Sequence, residues 1–217
     1  MSDITERLAA LDSCVVSDAL DALGIAGVAT GLSRLATDTK VVGRVHTVKL
    51  EDAKGRKAER HLCTGAVGAA APGEVIVVEH HDRSDCAGWG GLLSRAASVK
   101  GIAGTIIDGL SRDIDEAVAF GYPVFGRGGT PATARNRIIE TAMGIDVTIG
   151  GIPVSPGDYV IADGSGVVFV PQARADEVVT SAETFFAREQ DMARAIDAGT
   201  PVAEVMAGNY ERMLENG

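Results

Sequence analysis

The chain has 217 residues, 46% hydrophobic and 23% charged, enough for one substantial core. A formal net charge of −10 argues against nucleic acid as the main partner, and no apolar run approaches the roughly 20 residues of a membrane span. Cys14, Cys63 and Cys86, odd in number and widely spaced, suit reduced thiols in a cytoplasm rather than a disulfide framework, and the opening MSDITERLAALD is too polar for a signal peptide.

Residues 4–12 space Ile4, Leu8 and Leu11 at the helical period, and a second short helix is expected from Ser17 as N-cap to Gly24. The alternating, β-branched KVVGRVHTVKL (40–50) reads as a strand with a candidate bulge at Gly43. Pro72-Gly73 turns the chain into EVIVVE (74–79), an apolar run of strand length. A helix over 91–100, a strand AGTIID (103–108), a helix over 113–120 and a strand YPVFGRG (122–128) follow. That alternation is the pattern of parallel β-α units.

Between 146 and 171, Gly-Gly, Pro-Gly-Asp and Asp-Gly-Ser-Gly punctuate strand-length runs, as hairpins require. The echo of APGEVIVVE in SPGDYVIAD reads as two Pro-Gly turns entering strands, not as an internal repeat. A long helix over 173–198 stops at Gly199, and Thr200 caps a last helix with Pro201 at its first position. No linker interrupts the pattern, so one α/β domain is expected over 1–217.

The segment WGGLLSRAASVKGIAGTIIDGLSRD (89–113) carries the chemistry. Gly90-Gly91 at the mouth of a helix lets a ligand approach the backbone, where free helix amides favour an anion. Neither a dinucleotide G-x-G-x-x-G nor a phosphate-binding G-x-x-x-x-G-K-[ST] loop is present here, which also removes support for a methyltransferase. In a parallel β-α layout the loops after 74–79 and 103–108 leave the same sheet edge. Arg112 offers a fork for a carboxylate, and Asp113 offers hard oxygen to a magnesium-type ion. Spacing alone leaves open the alternative of a surface Arg beside a helix-capping Asp.

The string W-G-G-L-L, followed by D-G-x-x-R-D-x-D-E, resembles the RraA-like proteins and the class II 4-hydroxy-4-methyl-2-oxoglutarate/4-carboxy-4-hydroxy-2-oxoadipate aldolases. VVSDALDALG, VVGRVHTV, APGEVIVVE, YPVFGRGGTP and VSPGDYVIADGSGVVFVP extend the likeness over most of the chain. The resemblance implies a swivelling β/β/α-type α/β fold, assembled as trimers or hexamers with sites between subunits. It implies that Gly90, Gly91, Leu92 and Leu93 bind substrate through backbone amides. Arg112 then binds substrate and Asp113 a divalent metal, Mg²⁺ or Mn²⁺. One departure stands out: many aldolases of the family carry an acid where this chain has Gly91, which leaves the proton-transferring group unassigned.

The expected activity is retro-aldol cleavage of a small 2-oxo acid to pyruvate, with oxaloacetate decarboxylation through the same enolate. The alternative is a non-catalytic regulator that binds a ribonuclease, as RraA does.

Spacing disfavours most of the remaining candidates. EHHDRSDC (79–86) looks like a metal cluster, but adjacent His80 and His81 on a strand point to opposite faces; one of them is expected to line the pocket. Lys49 fits the polar face of its strand better than a Schiff-base role, and the cysteines lack the partners of a thiol nucleophile. In the long helix, Val178, Ala182, Phe185, Glu189, Met192 and Ile196 share one face. A carboxylate in an apolar stripe needs a partner. Glu189 either reaches solvent or a local Arg, or enters a neighbouring subunit's metal site, as the resembling aldolases supply a glutamate across the interface.

Overall fold

The structure, a computed structural model, describes residues 3–58 and 60–206; positions 1–2 and 207–217 of the expected domain lie outside it. Helix α1 (Ile4–Ala9) is capped by Asp3, whose carboxylate accepts from the Thr5 N–H. It stops short of Leu11 because Asp12 begins the next helix. Helix α2 (Ser13–Ala22) is capped by Asp12, not Ser17: the Asp12 carboxylate accepts from the Cys14 and Val15 N–H groups at 2.9 and 3.0 Å. The earlier start keeps Val15, Val16, Ala19 and Leu20 in one helix and buries all four.

Strands β1 (Val28–Ala29) and β2 (Ser33–Ala36) precede β3 (Val41–Asp52). Gly43 is not a bulge. It pairs in regular register with Val160, and a Cβ there would strike the Gly73 carbonyl, so the glycine serves a close backbone approach. The irregularity of β3 falls instead between Lys49 and Leu50. Helix α3 (Thr64–Ala69) leads to β4 (Val75–Trp89), far longer than the expected 74–79. The polar EHHDRSDC segment remains in the sheet but is bulged: His81 and Asp82 take left-handed backbone angles, φ 55° and 53°, and the register against β5 shifts there.

Helix α4 (Gly91–Lys100), β5 (Gly104–Ser111), α5 (Ile114–Ala119) and β6 (Val124–Gly126) continue the expected alternation, followed by the short β7 (Gly128–Gly129) and β8 (Ile138–Met143). Strands β9 (Val147–Ile149) and β10 (Ile152–Val154) form one hairpin, and β11 (Tyr159–Ala162) and β12 (Val167–Val170) another. Helix α6 (Ala175–Asp197) ends before Gly199, and α7 (Val202–Met206) starts one residue after Pro201, not on it.

The main sheet runs β1-β12-β11-β3-β4-β5-β6-β2, with β8 added beside β3 and β7 beside β5. Its centre, β3 to β6, is parallel, and its flanks are antiparallel. This is the swivelling mixed α/β class that the family resemblance implied. Helices α3, α4 and α5 cover one face of the parallel centre and the β9–β10 hairpin with the antiparallel strands covers the other, so EVIVVE is apolar on both faces: Ile76 and Val78 join a core with Trp89 and Ile107, while Val75 and Val77 join another with Ile106, Phe125, Val147 and Ile149. A third core packs α1, α2 and α6 on Ile161, Val168 and Val170. At the C-terminal ends of the parallel strands Trp89 pairs with Ser111, so the chain turns out at Gly90 and Arg112 side by side. The Arg112 N–H donates to the Trp89 carbonyl at 3.0 Å.

Candidate active site

Asp113 occupies the N-cap position of α5, yet it does not cap that helix. Its φ is 55°, in the left-handed region, and its side chain makes no bond to the first turn. An Asp tolerates this conformation at a cost of about 1 kcal/mol. The carboxylate instead reaches across to the preceding β-α turn, where Oδ2 accepts from the Gly91 N–H at 3.1 Å and from Arg112 Nε at 3.0 Å. Burial raises the Asp113 carboxyl, but the Gly91 N–H and the Arg112 guanidinium outweigh it and hold the group below the ordinary value. Among the described residues Oδ1 accepts from no donor, and the two terminal nitrogens of Arg112 have no partner.

Helix α4 completes the arrangement. Gly90 caps it in an extended conformation with no side-chain bond, and the Gly91 N–H is taken by Asp113. The N–H groups of Leu92 and Leu93 have no partner among the described residues, so a ten-residue helix presents free amides and the positive end of its dipole here. The expected Gly90, Gly91, Leu92, Leu93, Arg112 and Asp113 all line one cavity of about 570 Å³.

Three features escaped sequence reasoning. A Cβ at Gly91 would collide with the Glu116 carboxylate, its carbon 2.8 Å away, so the space left by the glycine is filled by an acid one turn into α5. Basic side chains also line the cavity, Arg56, Lys57 and Arg60 from the loop after β3 and Arg135 from the loop before β8, together with His61 and apolar Leu62, Ile138 and Ile139. The basic run KGRKAERH (54–61) was a visible signal for the first set; Arg135 joins it only because β3 pairs with β8, Asp52 opposite Ile138. Glu140 anchors this wall: buried, it accepts from the Cys63 N–H at 2.6 Å and pairs with Arg60 at 2.8 Å.

Glu189 does not join Arg112 and Asp113 within one chain. It sits partly buried on α6 with its carboxyl pushed up by burial and by Asp12 and Asp18, and among the described residues no cation pairs with it. Val178, Ala182 and Phe185 of its stripe are buried, whereas Ile196 is 43% exposed. His80 is buried and His81 half-exposed, diverging as expected, but neither lines the cavity, because β4 carries them past before the turn at Gly90. Lys49 pairs with the buried Glu79 at 3.4 Å. Cys63 and Cys86 are buried with thiols pushed up by burial, unlike nucleophiles.

Among the described residues no three His, Cys, Asp or Glu side chains converge as a metal cage. A zinc-type site has no ligand set here, whereas one free carboxylate oxygen beside a cavity suits a Mg²⁺-type ion that keeps most of its water. No helix among the described residues is long and apolar enough to cross a membrane.

The model of the RraA-like family, Aldolase/RraA, matches residues 13–169. The chain is 28% identical over 204 residues to Protein DlpA of Legionella pneumophila, covering 94% of this chain but only 33% of that longer protein. It is 30% identical over 196 residues to a Halalkalibacterium halodurans protein provisionally named 4-hydroxy-4-methyl-2-oxoglutarate aldolase, covering 89% of each. An uncharacterised protein of Pseudomonas syringae pv. tomato superposes with a TM-score of 0.84 at 35% identity, over 93% of this chain and 96% of that one. RraAS2 of Streptomyces coelicolor, described as an unusual member of the RNase ES inhibitor RraA family, superposes with a TM-score of 0.80 at 28% identity, over 88% and 95%. Fold and sequence agree: the chain belongs to the Aldolase/RraA family.

Proposed function

We propose that the chain is a divalent-metal-dependent lyase acting on small 2-oxo acids. It cleaves 4-hydroxy-4-methyl-2-oxoglutarate-like substrates to pyruvate and decarboxylates oxaloacetate. One observation carries the reading: an Asp113 Oδ1, two Arg112 nitrogens and two α4 amides, all without partners among the described residues, share one cavity. The provisional name of the Halalkalibacterium relative agrees with it.

Asp113 Oδ1 would hold Mg²⁺ or Mn²⁺, which supplies positive charge at the substrate's 2-oxo oxygen. Arg112 receives the substrate carboxylate on its two terminal nitrogens, and the Leu92 and Leu93 amides hold a neighbouring oxygen. The C4 hydroxyl loses its proton, the C3–C4 bond breaks, and its electron pair passes to the 2-oxo oxygen, leaving the enolate of pyruvate. Arg112 stabilises that developing charge. Glu116, beside Gly91 and Asp113, takes the proton through a water and fills the role left open by the glycine. With oxaloacetate the leaving fragment is CO₂, and the enolate is the same.

The working assembly is a homotrimer or homohexamer in which Glu189 enters the neighbouring subunit's site. Exposed Leu92, Val99 and Val118 on adjacent helices α4 and α5 support such packing, as does Glu189, which has no cation partner among the described residues. Likeness to RraAS2 favours a second reading, a non-catalytic regulator that binds a ribonuclease. That reading uses neither the free Asp113 oxygen nor the Arg112 fork.

Purified protein with Mg²⁺ or Mn²⁺ is assayed for pyruvate from oxaloacetate and from 4-hydroxy-4-methyl-2-oxoglutarate. Release from either supports the lyase; no release from both would leave the regulator.

A further inference from the structure

Trp89 is the chain's single tryptophan and ends β4, one residue before Gly90. It is 2% exposed, and its indole N–H donates to Ser94 Oγ at 2.9 Å. An indole N–H can only donate, so the Ser94 hydroxyl accepts there and gives its own proton to the Gly90 carbonyl, 3.3 Å away. Ser94 is 1% exposed on α4, at a position where Ala would be the better helix former. Its hydroxyl ties a buried ring to the backbone of the Gly90-Gly91 turn.

The rest of Trp89 is fixed as well. Its ring stacks on Tyr122, centroids 6.4 Å apart, and the Tyr122 hydroxyl shares a hydrogen bond with buried Thr105 at 2.8 Å. Its carbonyl accepts from the Arg112 N–H at 3.0 Å and from Ser111 Oγ at 3.4 Å. Gly90 is closely packed: a Cβ there would lie 3.1 Å from both Arg112 Cγ and Asp113 Oδ2. Gly90 brings no capping side chain to α4, so the mouth of the helix lacks the usual restraint. A small shift of Gly90 would move the Gly91 N–H off Asp113 and the Leu92 and Leu93 amides off a bound oxygen.

We propose that Ser94 is a positioning residue. Through the Trp89 indole and the Gly90 carbonyl it sets the Gly90-Gly91 turn against Arg112 and Asp113, so that amides, guanidinium and carboxylate meet a ligand in one geometry. For turnover this rests on the lyase reading; ligand affinity tests it apart from turnover.

The test is calorimetric binding of oxalate, a planar dianion resembling the enolate of pyruvate, to protein supplied with Mg²⁺, with oxaloacetate turnover measured beside it. The proteins are wild type, Ser94→Ala, Ser94→Thr, Trp89→Phe and the pair Ser94→Ala/Trp89→Phe, each held well below its thermal midpoint. Ser94→Ala should weaken oxalate binding and lower kcat/KM about tenfold. Ser94→Thr keeps the hydroxyl and should recover most of both, and the pair should lose little more than Ser94→Ala. Trp89 emission should move to shorter wavelength in Ser94→Ala, as the indole loses its acceptor. A lower thermal midpoint in Ser94→Ala with unchanged oxalate affinity would make Ser94 merely structural and overturn the proposal, as would additive losses in the pair. If Ser94→Thr does not fold, Trp89→Phe decides: it keeps the ring and loses the N–H, and wild-type affinity there overturns the route through the indole. Oxalate binding weakened by Ser94→Ala in a protein that releases no pyruvate would keep the role of Ser94 and sink the lyase reading. No oxalate binding to wild type would overturn the proposal.

Discussion

The Asp113 carboxylate and the Gly91 N–H lie 22 positions apart in sequence and 3.1 Å apart in space. That bond joins the turns after β4 and β5, and it exists because Asp113 adopts a left-handed backbone instead of capping α5. The same Oδ2 takes Arg112 Nε, so one carboxylate oxygen organises the site and leaves the other free.

Arg112→Lys should keep the charge and lose the fork. Lys presents one point donor where the guanidinium offers Nε to Asp113 and two nitrogens to substrate. A fall of at least tenfold in kcat/KM for pyruvate release is expected. Wild-type kinetics would return Arg112 to a surface role.

Gly91→Ala tests Glu116. The added methyl meets the far end of the flexible, exposed Glu116 side chain and also the Asp113 Cβ at 3.0 Å, so a loss of about 1 kcal/mol is expected as Glu116 swings aside and Asp113 gives slightly. Turnover should nevertheless fall about as far as in Glu116→Gln, and the double variant should lose little more. Additive losses would mean that Gly91→Ala acts through Asp113 and not through Glu116.

Glu189→Gln should lower turnover while the oligomer stays intact. Mixed with inactive Asp113→Ala under subunit exchange, it should regenerate some active sites, because the lesions then lie on opposite chains of a site. Demonstrated exchange without recovered activity, or full activity of Glu189→Gln, removes Glu189 from the chemistry.

Acid should weaken the fold through His80. Burial, with Arg83 and His81 adding to it, depresses the imidazole to about 4 from an ordinary value near 6.5. The unfolded chain therefore binds the proton more readily, and stability is lost as pH falls from about 6.5 to 4, by up to about 3 kcal/mol. Asp85 and Asp113, held low, lose their contributions only at lower pH, and Glu189, held high, works in the opposite sense. Thermal midpoints between pH 7 and 4.5 should fall in wild type and fall less in His80→Phe; equal slopes would clear His80.

The β-α alternation was legible because EVIVVE and AGTIID are apolar runs of strand length, bounded by Pro-Gly and Gly signals. The remainder of β4 was not, since EHHDRSDC is polar and holds its place through irregular pairing with β5. Ser17 and Asp12 are equally good caps locally, and only burial of Val15 and Val16 decides between them. At the site, spacing marks Gly90-Gly91 and Arg112-Asp113 as candidates but leaves a surface Arg beside a capping Asp open, and the family resemblance decides between them. The left-handed turn at Asp113, the approach of Glu116 and the arrival of Arg135 depend on tertiary pairing, which no local pattern encodes.

The most direct measurement is pyruvate release titrated with Mg²⁺ after EDTA treatment, in wild type and in Asp113→Asn. Wild type should be silent in EDTA and recover with added Mg²⁺. Asp113→Asn, folded by circular dichroism, should stay silent at every Mg²⁺ concentration. Full turnover in EDTA, or in Asp113→Asn, would contradict a lyase built on the free oxygen of Asp113.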